Sequence, residues 1–243
     1  LQIRRDASLR QFGALGNRRA PRICCMDKIR AVMREVDRIF NSMLGKNNTP
    51  TGPYIRVNYI ESDSRGQYID TGILPSSLTD FDFIFSLTIP SSLSANYYFF
   101  GSRDYTGNKY YSLSLQANTG SVIGRFDTQS HNFGIAPKDN EVFKAACVKN
   151  VWSLIRTSTA ETVTRTFNDV AFGMTNTIYI GAFNNYGEIR TAPQRIYRFY
   201  VLINNVYYTY EPFVRPSDGI AGLYCERLDD FWCDPNGKNF LYA

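Results

Sequence analysis

A chain of 243 residues with 44% hydrophobic and 15% aromatic side chains can bury a core, which excludes wholesale disorder. No stretch approaches the run of about 18 apolar residues that a membrane-crossing helix requires. The formal charge of +5 invites a nucleic-acid reading, yet residues 1–25 hold six arginines against one acid, while residues 51–243 hold 16 bases and 18 acids. Nucleic-acid binding therefore loses its main support.

In chain order, the basic segment 1–25 comes first. Its apolar stretch, residues 12–16, is too short for a secretory signal and has arginine on both sides. An Arg-rich, acid-poor arm also has the composition of a mitochondrial transit peptide, which nothing else in the chain supports. Met26-Asp27-Lys28 reads as a protein start, making residues 1–25 an upstream extension; otherwise they are expected to form a disordered arm. Over 26–45 the pattern becomes helical: Ile29, Val32, Val36, Ile39 and Met43 recur at three- and four-residue spacing, and Gly45 supplies a stop. Such a seam suits self-association, with β-branched residues leaning toward a trimer, or docking onto another protein; the third reading is an amphipathic helix of no special role. Residues 46–53, with Pro50, Gly52 and Pro53, read as a linker.

From residue 54 to 243 the sequence breaks into short alternating runs. The predicted strands are 55–61, 67–73, 81–89, 97–100, 110–116, 122–127, 142–149, 151–157, 163–167, 178–182, 195–202 and 206–211. In the third of these every odd position is apolar, so one face enters a core. Lys149-Asn150 and Ile203-Asn204-Asn205 read as hairpin turns. With no helix-period segment among them, the strands predict an all-β fold, an antiparallel sandwich of two sheets.

Tyr59-Ile60-Glu61-Ser62 followed by Gln67-Tyr68-Ile69-Asp70-Thr71-Gly72-Ile73 resembles the opening of concanavalin A-like (laminin G-like) jelly-roll domains found in phage structural proteins and gut-bacterial surface proteins. Phe100-Gly101-Ser102-Arg103 is similar to a strand end of that family, and Ile178-Tyr179-Ile180-Gly181-Ala182-Phe183-Asn184-Asn185 to another strand and loop. The close, Asp218-Gly219-Ile220-Ala221-Gly222-Leu223-Tyr224 with Phe231-Trp232 and Gly237-Lys238-Asn239-Phe240, resembles the family's ending. These motifs fall in family order across residues 55–243; Cys225-Glu226 departs from the pattern where the family usually has Asp. The resemblance implies a jelly-roll sandwich, a fold that hosts lectins, hydrolases and structural modules alike. It also implies that calcium is the one cofactor to test, held at a sandwich rim by Asp104 and backbone oxygens.

The chemistry-bearing residues are sparse. Five cysteines without a Cys-x-x-Cys give no disulfide framework, although Cys225 and Cys233 are close enough in sequence to pair in an oxidising compartment. One histidine, His131, lies between predicted strands and reads as a surface or turn residue. No phosphate loop, nucleophile elbow or Glu-x-Asp-x-Glu strand occurs, and the cluster Glu226, Asp229, Asp230 and Asp234 reads as a solvated loop. The expectation is accordingly of a protein that is not an enzyme. Binding is what the loops allow: Asp104, Tyr105 and Asn108 in one, Asn184, Asn185 and Tyr186 in the other, combine aromatic, amide and carboxylate groups as glycan sites do. The same residue types also serve turns without any ligand, and Trp152 with most tyrosines reads as core packing or sheet-face contact.

The sequence thus predicts a structural or adhesion protein, a phage virion component such as a head fibre, decoration or tail-associated subunit. Its helix would hold it to other virion or surface proteins and its sandwich would face cell-surface glycans. A bacterial surface or secreted carbohydrate-binding protein is the alternative, with a polysaccharide-degrading enzyme third.

Overall fold

The computed structural model describes residues 54–63, 66–89, 95–106, 108–185, 188–203 and 206–243. The basic arm 1–25, the helix 26–45 with its Ile29, Val32, Val36, Ile39 and Met43 seam, and the linker 46–53 lie outside the described residues.

Among the described residues the chain forms an all-β, two-sheet sandwich that it builds by repeatedly switching sheets. β1 (Ile55–Arg56) and β2 (Ile60–Ser62) lie in the larger sheet, β3 (Ile69–Asp70) in the smaller and β4 (Asp80–Leu87) in the larger again. A meander of β5 (Tyr97–Asp104), β6 (Lys109–Leu115), β7 (Val122–Asp127) and β8 (Gln129–Asn132) follows in the smaller sheet. A second meander, β9 (Val142–Val148), β10 (Val151–Arg156) and β11 (Glu161–Thr166), returns to the larger sheet. The smaller sheet then receives β12 (Tyr179–Ile180), β13 (Ala182–Asn185) and β14 (Glu188–Thr191). The larger one is completed by β15 (Gln194–Ile203), β16 (Val206–Arg215), β17 (Ile220–Cys225), β18 (Asp230–Trp232) and β19 (Leu241–Tyr242). The pairings are antiparallel except one short parallel contact between β13 and β5.

Period-two patterning explains what lies between the sheets. Phe81, Phe83 and Phe85 of β4 are 0–3% exposed; from the smaller sheet Phe100 meets Phe81 and Phe83, Tyr111 meets Phe81 and Phe99 meets Phe85, while Trp152 of β10 stands edge-on to Phe81 at 5.1 Å. Both expected hairpins hold their register: Val148 pairs with Val151 across Lys149, whose φ is 58°, and Ile203 pairs with Val206. Among the described residues five strands, β8, β14, β17, β18 and β19, lie wholly outside the predicted runs, and β13 is touched by them only at Ala182. β8 is Gln-Ser-His-Asn, an edge strand with no apolar alternation, and it carries His131, partly exposed and edge-to-face against Phe167 at 4.7 Å. β17, by contrast, is buried at five of its six positions, so its sequence does not alternate.

The motifs that open and close this region meet in space. Asp234, 2% exposed, accepts the Tyr68 N–H through Oδ2 at 2.9 Å and the Asn236 N–H through Oδ1 at 2.8 Å. The Gln67 side chain donates to the Asn239 carbonyl at 3.0 Å, and Asn239 in turn bonds Ala221 and Gly219. The motif residues are therefore a clasp between the two ends of the sandwich. Gly219 has the positive φ of 72° that a tight turn needs, but Gly222 does not: it lies within β17, where an added Cβ would come 2.2 Å from the Trp232 carbonyl oxygen. Cys225 and Cys233 are free thiols. Cys225 stands opposite Asp230 and Cys233 follows three residues further along, about 10 Å by strand rise, beyond the reach of a bridge.

Candidate functional site

Two places on the sandwich gather polar and aromatic side chains. The first is the rim of the smaller sheet, where β5 and β13 run parallel with Ser102 beside Asn184 and Arg103 beside Asn185. This pairing brings the two loops singled out in the sequence side by side. Alternation along β5 sends Ser102 and Asp104 inward and Arg103 outward, since Ser102 is paired with the core residue Tyr111 and Arg103 with Tyr110.

Arg103 is the centre of the rim. Its guanidinium donates to Asn108 Oδ1 at 2.8 Å and to Asn185 Oδ1 at 3.2 Å, and it lies over the rings of Tyr110 at 4.9 Å and Tyr105 at 5.7 Å. Arg125 approaches the same Tyr110 ring at 5.6 Å. Tyr110 and Tyr98 flank Phe183 in stacked geometry at 6.2 and 4.1 Å, which extends the aromatic floor across the sheet. Tyr105 is 70% exposed. Asn108 holds its turn at a φ of 54°, a conformation asparagine tolerates better than most residues.

The residues named from sequence divide on this geometry. Tyr105, Asn108 and Asn185 converge on Arg103. Asp104 and Asn184 turn inward: Asp104 accepts from the Thr106 N–H at 3.0 Å and the Thr175 hydroxyl at 3.2 Å, and Asn184 donates to the Thr177 carbonyl at 3.1 Å. Tyr186 lies outside the described residues. For the calcium expected at Asp104, no group of three or more His, Cys, Asp or Glu side chains among the described residues is placed to hold a metal ion. Arg103 itself was quoted in a motif but not named as a site residue. Its signal was alternation: a strand continued from Phe100 to Asp104 places it outward between two inward polar residues.

The second place is an open groove of about 250 Å³ on the outer face of the larger sheet. Tyr207, Thr209, Glu211 and Phe213, the outward positions of β16, form one wall, and Tyr224 with Glu226 and Arg227 the other. Glu211 is ion-paired to Arg56. Tyr207 stacks on Tyr200 at 4.7 Å. The Tyr224 hydroxyl donates to Asp229 at 2.8 Å, a bond that pushes its pKa up to about 12. Asp230 likewise accepts from the Tyr210 hydroxyl at 3.1 Å. The acidic cluster divides: Glu226 and Asp229 are exposed on the turn between β17 and β18, as a solvated loop would have them, whereas Asp230 is partly covered beside Tyr210 and Asp234 is buried against the Tyr68 N–H.

No family model matches the chain, and no curated protein matches it. Among solved structures it is similar to the enzymatically active domain of tailspike protein 2 from bacteriophage CBA120, at 12% identity and a TM-score of 0.43 over 62% of this chain and 25% of that one. The full-length tailspike protein 2 from Escherichia coli O157:H7 bacteriophage CAB120 gives 16% identity and a TM-score of 0.40 over 62% and 22%. Trypanosoma rangeli sialidase in complex with the inhibitor DANA gives 10% and 0.38 over 72% and 36%. The chain spans about a quarter of each tailspike chain. An enzymatically active domain and a sialidase among these neighbours overturn the expectation that the protein is not an enzyme. With TM-scores of 0.38 to 0.43, the likeness carries no activity over to this chain.

Proposed function

We propose that residues 54–243 are a glycan-binding sandwich of the concanavalin A-like (laminin G-like) type, displayed on a phage particle and joined to its other proteins through the helix 26–45. The observation that carries the binding function is the convergence, on one rim, of Arg103 and Asn185 from the ends of β5 and β13 with Tyr105 and Asn108 from the turn after β5. An exposed ring beside fixed amides and a guanidinium is the chemistry by which sugars are held: C–H faces stack on the ring while hydroxyls meet the polar groups. The sheet-switching path and the clasp formed by the opening and closing motifs support the jelly-roll assignment. Attachment through the helix rests on its seam alone, and a mass measurement on residues 26–243 against 54–243 tests it: a monomer's mass for both removes the oligomeric form. A glycan array probed with the full chain and with Tyr105→Ala tests the binding role. Signal on the parent that Tyr105→Ala abolishes supports it, and a blank array refutes it.

A second reading, cleavage of a polysaccharide, is favoured by one observation, the two carboxylates of Glu211 and Glu226 on one groove. Release of reducing ends by the parent chain and its loss in Glu226→Gln would establish it. No release from substrates that the array shows to bind would refute it.

A further inference from the structure

We infer that the rim selects glycans that carry an anionic group, a carboxylate or a sulfate, and that Arg103 is the residue that reads it. This rests on the glycan-binding reading above and names the class of sugar that the same site takes.

Among the described residues Arg103 has no acidic partner. Its partners at the rim are two amide oxygens and two aromatic rings, all formally neutral, and no salt bridge to Arg103 occurs among the described residues. The nearest acid in sequence, Asp104, faces the other way and gives its oxygens to Thr106 and Thr175. A guanidinium has five N–H donors, of which one goes to Asn108 and one to Asn185. The Nε–H is buried without a hydrogen-bond acceptor. The remaining terminal N–H groups keep the fork geometry that matches a planar carboxylate or a sulfate.

The amides around it reinforce the preference. Asn108, exposed at the rim, gives its oxygen to Arg103 and so keeps its NH₂ as the group available to a ligand. Arg125, 5.6 Å from the Tyr110 ring, adds a second positive charge to the same aromatic floor. A site whose fixed groups donate and whose charges are positive favours a ligand that accepts and is negative. A neutral sugar would meet the same ring and the same donors but leave the charge without a counterpart.

The test uses the full chain on a panel in which each acidic glycan has a neutral twin: uronate oligosaccharides with their methyl esters, sialylated glycans with desialylated ones, and sulfated with desulfated ones. Binding to at least one acidic member at tenfold or greater preference over its twin is expected, falling as salt is raised. The uronate and sialate arms against the sulfate arm tell which anion is read. Arg103→Gln is expected to lose at least tenfold on the acidic member and little on its twin, with Arg103→Lys, which keeps the charge without the fork, in between. Equal binding of the twins, or an acidic preference unchanged in both Arg103 variants, overturns the inference and leaves the glycan-binding reading standing. A panel blank for acidic and neutral members alike overturns that reading itself. Tyr105→Ala, whose ring is mostly exposed and carries little of the fold, is expected to weaken both twins equally and so separates sugar stacking from charge reading.

Discussion

Arg198 and Arg103 lie on the outer faces of opposite sheets, and they are held by opposite kinds of partner. Arg198, 4% exposed, reaches Asp82 at 3.5 Å, and Lys144 reaches the same carboxylate at 2.7 Å, so one acid serves two cations within a buried cluster. Arg103 is half-buried and held by amides and rings, with no carboxylate among the described residues. The charge of Arg198 is consumed inside the fold, whereas that of Arg103 is oriented by the fold and left to act outward. Ionic pairing thus marks a structural arginine, and neutral pairing one that can serve a ligand.

This contrast can be broken by substitution. The largest effect is expected at Asp82→Ala, which strands two buried cations and should cost about 3–5 kcal/mol in chemical denaturation. Arg198→Met leaves Lys144 and Asp82 as a matched pair and should cost less, about 1–2 kcal/mol; a loss equal to that of Asp82→Ala would mean that the cluster is not organised around the carboxylate. Arg103→Gln should cost only about 1 kcal/mol, because it removes bonds to neutral partners and two exposed-site ring contacts while relieving an unpartnered Nε. If it costs as much as Asp82→Ala, Arg103 is a structural residue and the contrast fails.

The smallest effect is confined to the groove. Hydrogen bonding to Asp229 holds Tyr224 protonated to about pH 12, against an ordinary value of 10.0. Because the folded value is raised, this contribution to stability is full below pH 10 and is lost as pH rises toward 12. In Asp229→Asn the ultraviolet titration of one tyrosine should move down toward its ordinary value, with the rim untouched. A titration curve identical to the parent's would show that the carboxylate does not set it.

How much of this was legible depends on the range of the interaction. Alternation at Phe81, Phe83 and Phe85 reveals an inward face because neighbouring positions on one strand report it directly. The same rule stopped short at β5, where the apolar pattern ends at Phe100 although the strand continues through Asp104, and so it passed over Arg103 as a site residue. Tyr105 and Asn108 were legible as loop residues of the right type; that Asp104 and Asn184 turn inward was not, since their partners Thr175 and Thr177 lie in the irregular segment before β12, which no strand pattern places.

The sequence alone determined the all-β class, the two-sheet core, the hairpins at Lys149 and Ile203, and the segregation of the +5 charge into the first 25 residues. Each of these is carried by local pattern, which the chain expresses without reference to distant residues. Only the tertiary structure decided that Gln67, Tyr68, Asp234 and Asn239 form one clasp, that Glu211 and Glu226 share a groove, and that Arg103 meets Asn185 at a rim. These contacts join residues up to 172 positions apart, and pairing across sheets and loops fixes them, which no window of neighbouring residues encodes.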